Sequence, residues 1–376
     1  MSMKLLVAIL GLAVVSATAL GPVSPASAAV VNERSVSAGI ANRIAVTPDG
    51  AQTWTLTTTS NELVGYTTGA TLTHIASWTL PGTDYSSAAV VVLADGTHAL
   101  VTDTASNRVN LVDLTTGSVT NPATLDGPTP GQLALSPDGS QVAIGYGGGS
   151  PRFSLFNTAD WSYVWMWNFF NQEFSGLAFS PDGVHVAAVA NQAAQVFVAD
   201  LGTLGLSATL ATANFPIGAV YSADGASIFV NSFASSTVQK FDASTGDELL
   251  TASTGQTGFI ALSPDGTQLW ASQPVSARVG VYDTSDLSLI DALPFAGNAG
   301  GRACAQFGCQ AWVAQQLGGA DIVFDLDPCL PGPTPALPDT GVSTATGPVL
   351  SGLAVSLVSA GVAIILVVRR RSASSH

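Results

Sequence analysis

The strongest constraint on this chain is a short turn that recurs six times at nearly constant spacing. The copies read Thr47-Pro48-Asp49-Gly50, Leu93-Ala94-Asp95-Gly96, Ser136-Pro137-Asp138-Gly139, Ser180-Pro181-Asp182-Gly183, Ser222-Ala223-Asp224-Gly225 and Ser263-Pro264-Asp265-Gly266. Successive glycines stand 46, 43, 44, 42 and 41 residues apart. A hairpin turn returning at that period is the spacing of a four-stranded propeller blade. A seventh copy has lost the turn but kept the register. Gly308, in Cys304-Ala305-Gln306-Phe307-Gly308-Cys309-Gln310-Ala311-Trp312, lies 42 residues beyond Gly266, and Trp312 falls where Trp270 falls one repeat earlier.

A second landmark keeps the same step. The third strand of each repeat ends 17 residues after the repeat glycine at Asp113, Asp200, Asp242, Asp283 and Asp325, 18 after it at Asn157 and 16 after it at Tyr66. Within one copy, Ile260-Ala261-Leu262 is a short apolar strand, and the turn that follows has glycine where a positive φ is needed. Gln268-Leu269-Trp270-Ala271, Arg278-Val279-Gly280-Val281-Tyr282 and Ser288-Leu289-Ile290-Asp291-Ala292-Leu293 read as the second, third and fourth strands. The fold class expected is therefore all-β, a seven-bladed β-propeller of four-stranded blades over residues 29–327. The last repeat offers only three strands before the prolines at 328, 331, 333 and 335, so Val30 to Ser37 are expected to supply its outer strand and close the ring.

Both ends read as addresses. Lys4, the apolar run Leu5 to Leu20 and the small residues Ala26-Ser27-Ala28-Ala29 form a signal-peptide pattern over residues 1–28, with cleavage after Ala28 and Ala29 as the alternative. Residues 328–341 form a proline-rich linker that ends in Leu337-Pro338-Asp339-Thr340-Gly341. An uncharged segment, 342–368, follows, and a basic tail, 369–376, opens on Arg369-Arg370-Arg371. The apolar part, Val349 to Val368, matches the ~20 residues of a spanning helix. Arginines directly after it stay cytoplasmic, which leaves everything upstream outside.

The order of motif, span and arginines resembles the sorting signal of Gram-positive wall-anchored proteins, and the match to LPxTG is complete. That resemblance implies a sortase and a peptidoglycan precursor as partners. The enzyme's thiolate cuts after Thr340 and passes its carboxyl to an amine of the wall precursor. The repeats themselves, typified by Leu93-Ala94-Asp95-Gly96-Thr97 through Asn107-Arg108-Val109-Asn110-Leu111-Val112-Asp113, resemble the YVTN-type propellers of bacterial and archaeal surface proteins over roughly Ile40 to Asp325. The likeness departs in blade three, whose outer strand is unusually aromatic, and in blade seven, where the turn is lost. The localisation expected is secreted and covalently held at the cell wall, with membrane contact only through the sorting segment.

Chemistry is sparse. With 25 acidic against 11 basic residues and a formal net charge of −14, nucleic acid is not an expected partner. The repeated aspartates sit at tight turns and strand ends, where a carboxylate accepts local N–H groups. His74, His98, His185 and His376 are too scattered for a metal site or a nucleophile–base pair, and no catalytic residue, metal or cofactor is expected. Cys304 and Cys309 flank the seventh turn, close enough across a hairpin for a disulfide, while pairing of either with Cys329 stays open. Trp161, Tyr163, Trp165, Trp167 and Phe169 alternate along one strand and so are expected to share one face, either as a stacking platform for sugars or packed between blades.

The loops opposite the Asp-Gly turns carry Arg43, Arg108, Arg152, Arg278 and Arg302, a candidate ligand face for an anionic polymer. Arg43 and Arg302 enter the innermost strands of blades one and seven, where either they attract an anion or a carboxylate such as Glu173 or Asp103 neutralises them and leaves a structural ion pair. The expected function is a non-enzymatic, wall-displayed scaffold for binding or adhesion to an extracellular protein or glycan. Two alternatives are an extracellular propeller enzyme of lactonase or lyase type and a structural envelope protein without a specific ligand.

Overall fold

The computed structural model describes residues 43–57, 60–68, 72–83, 85, 88–125, 127–147, 152–168, 174–263 and 265–294 with their side chains. Of 30–36, 41–42, 301–307, 310–315, 321–326, 358–359 and 362–363 it describes the backbone. The chain divides into two compact units, Met1–Pro331 and Gly332–His376.

The first unit is a β-propeller of four-stranded antiparallel blades. Blade one holds β2 (Ala41–Val46), β3 (Gln52–Thr57), β4 (Glu62–Thr67) and β5 (His74–Thr79). Blade two holds β6 (Val90–Val92), β7 (His98–Asp103), β8 (Arg108–Asp113) and β9 (Val119–Thr120). Blade three holds β10 (Pro130–Leu135), β11 (Gln141–Tyr146), β12 (Arg152–Asn157) and β13 (Tyr163–Asn168). Blade four holds β14 (Phe174–Phe179), β15 (His185–Ala190), β16 (Gln195–Asp200) and β17 (Gly205–Ala211). Blade five holds β18 (Pro216–Tyr221), β19 (Ser227–Ser232), β20 (Thr237–Asp242) and β21 (Glu248–Ser253). Blade six holds β22 (Ile260–Leu262), β23 (Gln268–Gln273), β24 (Arg278–Asp283) and β25 (Leu289–Pro294). Each sheet runs in sequence order from its innermost to its outermost strand.

Six blades are thus described with side chains, against seven repeats in the sequence. The remaining repeat enters as a four-stranded sheet described through its backbone, in the order β1-β28-β27-β26. Its strands are β26 (Gly301–Phe307), β27 (Gln310–Gln315), β28 (Asp321–Leu326) and β1 (Val30–Val36). β1 runs antiparallel to β28, from Val36 opposite Asp321 to Val30 opposite Leu326, which is the pairing expected of the segment before the first repeat.

The hairpins form where the repeated turn dictates. Glycines 50, 96, 139, 183, 225 and 266 all have φ between 66° and 74°, a region closed to side chains with a Cβ except at a cost. In Ser136-Pro137-Asp138-Gly139 the Gly139 N–H donates to the Ser136 carbonyl at 2.8 Å. The Ser136 hydroxyl donates to Asp138 Oδ1 at 2.6 Å and accepts from the Gln141 N–H at 2.9 Å. The same knot recurs with Thr47, Ser180, Ser222 and Ser263 on Asp49, Asp182, Asp224 and Asp265.

The second strands carry the core. Trp54, Leu100, Ile144, Val189, Phe229 and Trp270 are all essentially solvent-free, and side chains from adjacent blades interleave between the sheets. Trp54 lies flat on Gly65, where a Cβ would come within 2.7 Å of the indole ring. Register slips mark most blades twice. One falls at the start of the innermost strand, as between Phe174 and Gly176, and one near the end of the third, as between Lys240 and Phe241. Bulges of this kind add twist, which a sheet wrapping around an axis requires.

The bulge in blade three corrects the aromatic stripe. Leu155 faces Trp165 but its neighbour Phe156 faces Tyr163, so Val164 is the extra residue. Residues opposite one another share a face, and Leu155 and Phe156 point to opposite faces, so Tyr163 and Trp165 do as well. Trp167 stacks on Phe153 at 4.9 Å and is buried, Tyr163 meets Phe156 edge-on at 5.8 Å, and Trp161 packs beside Phe156 in the cluster between blades two and three. Phe169 lies outside the described residues. No single aromatic platform results.

The expected spanning segment 342–368 lies outside the described residues except for two short paired strands, Val358–Ser359 and Val362–Ala363. No helix among the described residues is long and apolar enough to cross a membrane. The signal-peptide and sorting-motif residues also lie outside them, as does Cys309, while Cys304 is described by backbone alone.

Removing residues 30–36 leaves β28 as an open edge. With six paired residues lost, at ~0.5–1 kcal/mol net per hydrogen bond, stability should fall by about 3 kcal/mol or more, with a lower Tm in thermal unfolding.

Candidate functional site

Each blade has two ends, and the sequence charges them differently. At one end lie the Asp-Gly turns and the loops between third and fourth strands. At the other lie the loops between second and third strands and the entries to the innermost strands, and there the arginines collect.

The acidic end is built from satisfied carboxylates. The Ser136 hydroxyl, followed by the Ser140 N–H and hydroxyl, pulls the Asp138 pKa down to about 2. Asp49, Asp182 and Asp224 are lowered in the same way, first by the hydroxyls of Thr47, Ser180 and Ser222. At the strand ends Asp113 Oδ1 accepts the N–H groups of Thr115 and Thr116 at 2.8 and 2.9 Å, and Asp200 accepts those of Gly202 and Thr203 at 2.8 Å. Blade two has Leu93 where the other five Asp-Gly turns have Ser or Thr. There His98 takes the missing partner's place, with its N–H on Asp95 Oδ1 at 3.0 Å and Nδ1 2.8 Å from Oδ2. His185 holds the same register in blade four, its Nε2 4.0 Å from Asp200. These aspartates are parts of turns, and among the described residues no group of three or more His, Cys, Asp or Glu is placed to hold a metal.

At the opposite end Arg108, Arg152 and Arg278 occupy one repeat position, the first residue of the third strand. Each lies directly across the ladder from the last residue of the second strand: Asp103, Tyr146 and Gln273. That neighbour takes hold of each guanidinium. Arg108 Nε donates to Asp103 Oδ2 at 3.2 Å, Arg152 sits 5.8 Å from the Tyr146 ring centre, and Arg278 Nε donates to Gln273 Oε1. Arg43 follows the bulge of β2, and its guanidinium lies 4.5 Å over the Phe259 ring at the entry to blade six. Arg302 is itself the bulged residue of β26, with its backbone alone described. The structure therefore brings the four described arginines to one end of the propeller but gives each a local partner. Asp103, named as a neutraliser of Arg43 and Arg302, belongs to Arg108 instead, and Glu173 lies outside the described residues.

Asp103 lies beside a buried network that composition alone does not reveal. Its side chain is fully buried, and its Oδ1 accepts the Ser106 N–H at 3.0 Å. Tyr85, also fully buried, donates to the Pro81 carbonyl and accepts from Asn110 Nδ2 at 2.9 Å, and Asn110 Oδ1 in turn accepts from Asn121 Nδ2 at 2.9 Å. Burial, and then the charge of Asp103, push the Tyr85 hydroxyl up to about 12, so it is neutral and a donor. The signal for the Asp103–Arg108 pair was in the sequence. The two stand five residues apart across a hairpin whose ends must meet.

No family model matches this sequence, and no curated protein matches it.

Arg108→Gln leaves the Asp103 carboxylate buried without its counter-charge. Because Arg108 is 41% exposed, the loss expected is about 1–3 kcal/mol rather than the larger figure for a fully buried pair. Adding Asp103→Asn should recover most of it, as a double-mutant cycle on chemical unfolding will show.

Proposed function

We propose that this chain is a secreted surface protein in which a closed seven-bladed propeller, of the YVTN type in its repeats, is displayed on a Gram-positive cell wall and presents a binding face without catalysis. The observation that carries the display is the order Leu337-Pro338-Asp339-Thr340-Gly341, uncharged segment, Arg369-Arg370-Arg371. Each part has a physical task in that reading. The span and the arginines hold the chain at the outer membrane face, and Pro338 fixes one backbone angle, which lowers the entropy lost as the motif enters the sortase groove. The sevenfold closure is supported by the position of β26, which lies against β2 on one side and β22 on the other, and by β1 as the outer strand of the same sheet. A ring locked by strands from both ends of the domain suits a protein exposed outside the cell.

Binding is assigned to the arginine end. Its guanidinium groups are fixed in direction by aromatic and amide partners, and Arg108 keeps 41% of its side-chain surface exposed. A guanidinium carries five N–H donors, so at Arg108 and Arg278 the bond to Asp103 or Gln273 leaves others for an anionic group. The other end is lined with carboxylates held ionised by their turns, which repel the same ligand and orient it. An anionic glycan or wall polymer is the ligand class that fits.

Two outcomes test this. Thr340→Ala should move the protein from the wall fraction to membrane and medium, and a mutant still linked to peptidoglycan refutes the sorting reading. Arg278→Gln removes a charge whose partner, Gln273, is neutral, so stability should change by less than about 1 kcal/mol. Affinity for an anionic glycan should nevertheless fall several-fold, with a shallower dependence on salt.

A further inference from the structure

Propeller blades end in open edges, and five of the outer strands carry features that discourage pairing. β9 is two residues long, β21 opens on Glu248, β25 contains Asp291 and ends at Pro294, β1 contains Glu33 and Arg34, and β5 opens on His74, which is hydrogen-bonded to Ser77. Short length, charge and proline are the usual means of blunting an edge. β17 is uncharged but begins with glycine and is built of small residues apart from Leu206 and Leu210. β13 has none of these. It reads Tyr163-Val164-Trp165-Met166-Trp167-Asn168, six residues without charge, proline or glycine, and is the outermost strand of its sheet. Tyr163 is 51% exposed and Trp165 40%. Tyr, Trp and Met are the types enriched in interface cores.

The charges around this edge select a partner. At one end of β13 stands Asp160, in the turn that leads into it, and at the same end of the blade, two strands further in, Asp138; both have lowered pKa and are ionised. At the other end Arg152 lies directly across the ladder from Asn168. A second copy laid antiparallel along the edge brings the acidic end of each blade three beside the arginine end of the other. Arg152 of one copy then lies two to three strand spacings from Asp160 of the other, roughly 12 Å, close to the Debye length at ~0.1 M salt, while Asp138 lies farther in. A parallel arrangement sets like beside like. The neutral strand itself is also where a chain of net charge −14 meets its own copy with least repulsion.

We infer that the open edge of β13 pairs antiparallel with β13 of a second copy, joining two propellers blade three to blade three. The contact is isologous, so it closes at two copies and does not propagate. Backbone hydrogen bonds supply the pairing, and the rings of Tyr163 and Trp165, on opposite faces of the strand, cover it from both sides. An interface this narrow falls in the weak class, and the dimer dissociates on dilution. The inference rests on the fold alone and stands or falls separately from wall display.

Sedimentation velocity on the full chain in mild detergent, over a concentration series, is the test. The wild type should pass from monomer to dimer as concentration rises. Trp165→Lys should stay monomeric and folded, with a Tm lowered only by the lost edge contact to Trp167, and Leu249→Lys, at a somewhat more exposed site on β21, should behave as the wild type. Hydrogen exchange on the wild type gives a readout independent of any variant, with the amides of 163–168 gaining protection as concentration rises. A wild type that is monomeric throughout, a dimer that persists in Trp165→Lys, or β13 exchange indifferent to concentration overturns the proposal.

Discussion

Each of five blades is pinned at one corner by the same knot: a Ser or Thr hydroxyl on an aspartate carboxylate, with the hydroxyl oxygen receiving the N–H of the next strand. The rest of the propeller depends on it. The knot fixes where the first strand ends and the second begins, and a one-residue slip there turns every core side chain to the wrong face. It also fixes the third strand, whose following threonine in blades three and six donates to the carbonyl of the turn glycine, at 2.6 Å for Thr158 on Gly139 and 2.8 Å for Thr284 on Gly266. Blade two shows how little latitude the arrangement has. Having lost the hydroxyl at Leu93, it supplies His98 as a substitute donor to Asp95.

The knots also bear on function. A carboxylate that receives two or three local donors is a poor proton acceptor and a poor nucleophile, so the residues most suggestive of catalysis are committed to architecture. At the far end the pattern inverts. Positive charge gathers there, Arg108, Arg152 and Arg278 are each steered by the residue across the ladder, and Asp103, the one fully buried carboxylate among the described residues, is matched by Arg108. This polarity is what the proposed recognition of an anion draws on.

The period, the strand boundaries and the Asp-Gly turns were legible because the sequence repeats them, and a repeat reports its own register. The strand formed by residues 30–36 was legible by subtraction, since the last repeat lacked a fourth strand. The partners of Arg43 and Arg152 were not foreseen, because Arg43 meets a ring at the entry to blade six and Arg152 follows a loop one residue longer than those before Arg108 and Arg278. The aromatic face of β13 was misread for a related reason. The bulge at Val164 has no residue signature of its own, and one extra residue reverses the alternation. Tyr85 carried no signal, lying between repeats and gaining its role from burial beside Asp103.

Acid titration of stability tests most directly the claim that the repeated carboxylates are structural. The turn aspartates have folded pKa values below the ordinary 3.8, with Asp138 at about 2. Their contribution is therefore fully present above the unfolded value and is lost as pH falls through the folded one. Thermal unfolding followed from pH ~6 downward should show a Tm that holds to about pH 4.5 and then drops steeply towards about pH 2, with net proton uptake on unfolding. A Tm that stays level to pH ~2 would contradict the account, because the knots would then hold as well protonated as ionised.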